Sequence, residues 1–280
     1  MENCLLGKSS EEIKQHYRQN INLGGWFSFN STKEQWVSNF AEKMLKHFFN
    51  VELIQKKFNG FTTDEEILLT NNIKFSGLKN KSVLIVGGGP STTSLTEQTL
   101  SKYDYVFSCN HFFKNPLLKN HKIDMCLIGD EVDLESKQFN NYLDRFQPVV
   151  GFEHSGKRSN NQLLNFIERY PRCFVYLTRY FSRLGYVPRA IIIAALASPG
   201  KIDYIGMDGF KKGSYAHSFE LNKPPPSFDE ADLFKDQMKI FLKYLLKDIK
   251  IQKDILNDLG SSHPSNIYSE ILEKIKNEKN

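Results

Sequence analysis

A chain of 280 residues, 40% hydrophobic and 25% charged, is too apolar to be disordered and long enough for one α/β domain with an added subdomain, or for two modest domains. Its 37 basic residues against 32 acidic ones give a net charge of +5 without a polybasic block. That gives no support to nucleic-acid binding and suits an anionic ligand, an acidic membrane surface or simply a solvated lysine-rich exterior.

No run approaches the ~18 apolar residues that span a bilayer, and the N-terminus lacks the apolar core of a signal peptide. Cys4, Cys109, Cys126 and Cys173 lie far apart, with neither metal spacing nor a disulfide framework, and read as reduced core thiols. The sequence therefore predicts a cytoplasmic protein, compatible with peripheral contact at the inner face of a membrane.

Residues 1–76 are polar and aromatic, with helical periodicity from Glu34 to Phe49, where Trp36, Val37, Phe40, Met44, Leu45 and Phe48 recur at three- and four-residue steps. They predict a small helical subdomain, with a second unit over residues 77–280. From Lys81 short β-branched runs alternate with amphipathic stretches, the pattern of βα units. Strands are expected at Ser82–Val86, Tyr105–Cys109, Met125–Ile128, Val149–Phe152, Cys173–Leu177 and Ile202–Ile205. Six such strands make a Rossmann-like, doubly wound, mostly parallel sheet.

Pro188-Arg189 is expected to open a buried helix over Ala190–Ala197, ended by Ser198-Pro199-Gly200. The stretch Gly209–Pro226, with two glycines and three consecutive prolines, is too irregular for an element and is expected to be a lid or binding loop. An amphipathic helix follows over Asp229–Leu246, with Asp229 or Ser227 as N-cap and Leu233, Met238, Phe241, Leu242 and Leu245 inward. Ile249–Leu256 is expected to add an edge strand before a lysine-rich, frayed terminus.

Four signals carry chemistry. The strand Val83–Val86 runs into Gly87-Gly88-Gly89-Pro90-Ser91, with a helix expected at Thr93 or Ser94. Glycines let a backbone approach a phosphate, and a helix N-terminus offers free N–H groups; a merely tight βα turn is the plain alternative. The motif has only the first two glycines of the dinucleotide fingerprint and lacks the Lys-Ser/Thr of a P-loop.

Asn110, at the end of the second strand, is placed to hydrogen-bond a base or ribose, or else to cap the next turn. Asp130 follows the third strand and is a candidate for a ribose hydroxyl or a phosphate-held cation, or a solvated turn acid. Asp208 ends the sixth strand ahead of the lid, which brings Tyr215 and His217 near it. His217 is a candidate general base, although lone loop histidines, as at His111, His154 and His263, are more often structural. Arg179, Arg183 and Arg189 could offset phosphate charge, Arg183 foremost.

Val-Gly-Gly-Gly-Pro-Ser at 86–91, Ser-Cys-Asn-His-Phe-Phe at 108–113 and Tyr-Ile-Gly-Met-Asp-Gly-Phe followed by Gly-Ser-Tyr-Ala within 204–216 resemble the bacterial sialyltransferases of glycosyltransferase family 42. They also resemble a related motility-accessory and pterin-diphosphokinase-like group. The likeness covers roughly residues 81–245. It implies that Gly88, Gly89, Pro90, Ser91 and Asn110 contact the nucleotide of a CMP-activated sugar, and that Tyr215 and Arg183 bind its phosphate. The sialyltransferases usually carry Asn where this chain has Gly88, and their histidine base has no counterpart between Pro224 and Asp232. An acid at Asp130 is closer to the diphosphokinase-like group.

Three functions are therefore carried forward. The first is a glycosyltransferase that moves a sugar from a nucleotide donor to a cell-surface glycan precursor, with His217 or Asp208 as base and no cofactor beyond the donor. The second is a magnesium-dependent diphosphotransferase with Asp130 and Asp208 on the metal. The third is a non-enzymatic nucleotide-binding factor.

Overall fold

In the computed structural model the described residues are 75–153, 172–176, 184–209, 217–220 and 250–278, with separate positions within 162–170 and 235–246. The helical subdomain expected over residues 1–76, Arg183, Tyr215, His154 and most of the expected lid lie outside them.

The β-branched runs form strands because they are buried on both faces, as crossover helices require of a parallel sheet. The strands are β1 (Ser82–Val86), β2 (Tyr105–Cys109), β3 (Met125–Ile128), β4 (Val149–Glu153), β5 (Cys173–Tyr176), β6 (Lys201–Ile205) and β7 (Leu256–Asp258). All six expected strands are present within a residue or so of their expected ends. The seventh is displaced: instead of Ile249–Leu256, the edge strand starts at Leu256. The sheet order is β5-β4-β3-β2-β1-β6-β7 and every pair is parallel.

The chain builds outward from β1 to β5 and then returns to the opposite side of β1 as β6. The boundary between β1 and β6 is therefore the switch point, at whose carboxyl end open α/β sheets bind ligands. In register, Val86 stands beside both Ser108 and Ile205, so the segments after residues 86 and 205 leave the sheet together.

Alternate side chains of each strand feed two cores. Val83, Ile85, Phe107, Met125, Leu127, Ile202 and Tyr204 meet the helix Tyr186–Leu196, while Leu84, Val86, Val106, Cys126, Ile128 and Ile205 meet Phe112, Phe139, Tyr142 and Phe166. The helix begins at Tyr186 rather than at Pro188, because a proline in the first turn gives up an N–H that has no intrahelical partner anyway. Ala190–Ala195 are all buried, and Met238, Phe241, Leu242 and Leu245, expected inward, share their cluster.

The C-terminus is not frayed. Ser269–Asn277 is a helix whose Ile271, Leu272 and Ile275 close the same core, lysines occupying its outer side. Cys126 is buried among apolar neighbours and burial pushes the Cys173 thiol up to about 12, so both are core groups rather than nucleophiles. Asp203, fully buried on β6, is paired with Lys201 Nζ at 2.7 Å, Asn257 Nδ2 at 3.1 Å and the Tyr103 hydroxyl, as a buried carboxylate must be.

Candidate functional site

The glycine turn lies flat on the end of β6. Gly87 N–H donates to the Ile205 carbonyl at 2.8 Å and Gly89 N–H to the Gly206 carbonyl at 3.0 Å. This approach needs glycine: a Cβ on Gly87 would come within 2.5 Å of the Gly206 oxygen, and one on Gly89 within 2.7 Å of the same atom.

Pro90–Ser94 then forms a 3-10 turn, and the helix expected at Thr93 or Ser94 starts only at Glu97, with Thr96 as its N-cap, accepting from Thr99 N–H at 3.1 Å. That helix is four residues long. The expectation that a helix terminus and a row of free turn amides face a phosphate is corrected accordingly. The N–H groups of Gly87, Gly89 and Ser91 are taken up inside the fold and Pro90 has none. Of the turn's amides, Gly88 alone is outside these contacts.

Ser91 N–H donates to Asp208 Oδ2 at 2.8 Å, and Gly206 N–H donates to Ser91 Oγ at 2.9 Å. Asp208 is only 2% exposed, and its Oδ1 has no hydrogen-bond partner among the described residues. Burial raises its pKa; hydrogen bonds from Ser91 and the nearby His263 oppose the rise. Asp208 is thus buried against the glycine turn through Ser91.

His217 packs directly on Gly88, its Nδ1 buried. A Cβ on Gly88 would collide with its Nδ1 and come within 2.7 Å of its Cε1. Ser218 N–H donates to the Gly88 carbonyl at 2.8 Å, and the Ser218 and Thr92 hydroxyl oxygens are 2.6 Å apart. Thr92 gives its own proton to the Gly89 carbonyl at 2.8 Å, so Ser218 is the donor of that pair. The segment 217–220 is in this way seated on the glycine turn.

Asn110 has φ +50°, a left-handed conformation that asparagine tolerates. Its Oδ1 accepts Gly129 N–H at 2.8 Å and its Nδ2 donates to Glu131 Oε1 at 2.5 Å, so it staples the end of β2 to the turn after β3. One amide hydrogen and one carbonyl lone pair remain for a ligand.

Asp130 follows β3, three strand intervals from β6. At the ordinary strand spacing those ends are about 14 Å apart. One cation cannot hold Asp130 and Asp208 together, and among the described residues no three His, Cys, Asp or Glu side chains are grouped to bind a metal. Arg189, one of the three candidate arginines, caps its own turn through Nη1 and the Gly185 carbonyl at 2.6 Å.

A part of the rim that sequence reasoning missed is the turn between β7 and the C-terminal helix. Gly260 lies so close to Ser91 that a Cβ there would be 2.6 Å from Ser91 Oγ, and Ile267 N–H donates to the Asp208 carbonyl at 2.8 Å. Asp258 accepts from Gly260 N–H at 2.9 Å and Asn266 Nδ2 at 2.8 Å. The signal was available in Asp258-Leu-Gly-Ser-Ser-His-Pro264, a strand end followed by turn residues, but a three-residue strand hides it.

Burial raises the Asp258 pKa from 3.8 to about 6, with the Asp208 charge adding to the rise and its two hydrogen bonds opposing it. A carboxyl raised on folding gives stability that is present below the unfolded value and lost as pH rises through the folded one. Between pH 3.8 and 6 the wild type should therefore lose, relative to Asp258→Asn, roughly 3 kcal/mol. Chemical denaturation of both proteins at pH 4 and pH 7 checks this; a difference independent of pH would contradict it.

No protein-family model matches the chain, and no curated protein matches it. Among solved structures it is similar to the sialyltransferase CstII from Campylobacter jejuni, in complex with the substrate analogue CMP-3FNeuAc. The two are 16% identical over 65% of this chain and 82% of that one, with a TM-score of 0.44. Among the described residues, no helix is long and apolar enough to cross a membrane.

Proposed function

We propose that the chain is a nucleotide-sugar-dependent glycosyltransferase, moving a sugar of the sialic-acid kind from a CMP-linked donor to a glycan acceptor. The observation that carries this reading is the seat of the His217 imidazole on Gly88, at the carboxyl end of β1 and on the β1–β6 switch point.

In this reading His217 takes the proton of an acceptor hydroxyl. The acceptor oxygen forms its bond to the anomeric carbon as the bond to the donor's phosphate oxygen breaks, and the nucleotide leaves with that electron pair. Ser218 and Thr92 hold the base, Asp208 holds the turn beneath it through Ser91, and Asn110 offers its remaining amide hydrogen to the nucleotide. Arg183 and Tyr215 are assigned to the leaving phosphate from the sequence resemblance. The protein would work in the cytoplasm, peripheral to the inner face of the membrane.

For the diphosphotransferase alternative, the three strand intervals between the β3 and β6 ends count against a cation shared by Asp130 and Asp208. A nucleotide-binding factor without activity would use the same crevice.

Thermal denaturation with CMP-, UDP- and GDP-sugars, with and without chelator, followed by assay of donor hydrolysis, separates the three. A CMP-linked donor at a hundred times its Kd should raise the unfolding midpoint by ~5 °C or more. Turnover that survives chelation supports the transferase, binding without turnover supports the factor, and turnover lost on chelation supports the diphosphotransferase. Absence of binding by any nucleotide overturns all three.

A further inference from the structure

Segment 217–220 is held at its far end by a group that the proposed reaction does not use. Glu220 lies 3.0 Å from Lys114 Nζ and 3.1 Å from His111 Nδ1, and the histidine and glutamate side chains are only 15% and 16% exposed. His111 and Lys114 belong to the segment that follows β2, so this cluster ties residues 217–220 to the strand on the other side of β1 from β6.

The other ring nitrogen of His111, Nε2, lies 3.2 Å from the Glu131 carbonyl oxygen. Both neighbours of the ring are acceptors, a carboxylate on one side and a carbonyl on the other. A neutral imidazole has one N–H and can satisfy one of them, leaving a lone pair against the second; an imidazolium donates to both. Among the described residues around the ring, Phe113 meets it edge-on at 5.9 Å, the Glu131 carboxylate is engaged by Asn110, and Lys114 shares Glu220.

We propose that His111, bridging the Glu131 carbonyl and the Glu220 carboxylate, is a positioning residue that fixes His217 over Gly88. The link runs from His111 through Glu220 along three residues to His217, with Ser218 N–H on the Gly88 carbonyl as its readout. Lys114 is the second group that holds Glu220, so loss of His111 weakens the clamp rather than opening it. The clamp stands on this geometry; only its consequence for turnover rests on the proposed function. In that setting it makes the placement of the base depend on a second histidine.

Hydrogen exchange of the Ser218 amide in the full chain tests it, using Glu220→Gln and His111→Gln with Leu84 on β1 as the internal reference. Loss of a charge-assisted hydrogen bond at this half-buried position should lower Ser218 protection about tenfold in either variant, with Leu84 unchanged. Ser218 protection that is equal in wild type and Glu220→Gln, or in wild type and His111→Gln, would overturn the proposal. Calorimetric titration with CMP on the same samples reads the functional consequence: affinity should fall in parallel with protection. If CMP fails to bind the wild type, the transferase reading fails while the exchange result still decides the clamp.

Discussion

Replacing Gly88 by alanine is expected to cut donor turnover about 100-fold while leaving the fold intact, since misplacing a catalytic group by about 1 Å costs that much. The reason lies in what the new methyl group meets. At position 88 its neighbours are the Nδ1, Cε1 and Cγ atoms of His217, a side chain that can swing away. At positions 87 and 89 the same methyl meets the Gly206 carbonyl at 2.5 and 2.7 Å, which is backbone at the end of β6 and cannot yield without parting two strands.

Gly87→Ala and Gly89→Ala should therefore lose about 3 kcal/mol of stability, and Gly88→Ala almost none. Denaturation midpoints and hydrolysis rates for the three variants check both halves. Full turnover in Gly88→Ala would remove His217 from the chemistry.

Asp208→Ala should cost a similar amount, about 3 kcal/mol, by orphaning the buried Ser91 N–H and emptying the space between Gly89 and Gly260. Asp208→Asn keeps the volume and an oxygen for Ser91, and separates the charge from the shape. Folding raises the Asp208 pKa, chiefly through burial, so the wild type is helped by this group at low pH and loses that help as pH rises through the folded value. The stability of Asp208→Asn relative to wild type should accordingly improve as pH is raised from 4 toward 8. Urea denaturation across that range measures it, and a gap that widens against the variant with rising pH would contradict the assigned environment.

Much of the fold was legible because strands buried on both faces must be continuous apolar runs. Val83–Val86, Val106–Phe107 and Met125–Ile128 are such runs, and their parallel pairing followed from the βα alternation; the strand order did not. What failed to show was set by contacts distant in sequence. Ile271, Leu272 and Ile275 sit among lysines and glutamates, and only the face that β6, β7 and the buried helix present makes them a core. The glycine turn was visible, but the destination of its amides was not, because Ile205, Gly206 and Asp208 lie more than a hundred residues away and take them up.

The site was legible in the same uneven way. Asp208 and the turn were named from strand ends, and His217 from the candidate lid; the β1–β6 register brings the turn and Asp208 together. Asn110 was read as a nucleotide contact or a cap on the following turn, whereas its side chain reaches Gly129 and Glu131 after β3. His111 and Glu220, 109 positions apart, had no sequence signature at all, since an ion pair of that separation is fixed only by the fold.

The central claim is that the nucleotide of the donor binds beside the His217 imidazole, at the carboxyl ends of β1 and β2. Titrating isotope-labelled protein with CMP and following backbone amide resonances tests it most directly. The account predicts saturable shifts concentrated at Gly88, Asn110, Ser218 and the His217 ring, fading along β4 and β7. Saturable shifts centred elsewhere on the sheet, with Gly88 and Ser218 unmoved, would contradict it.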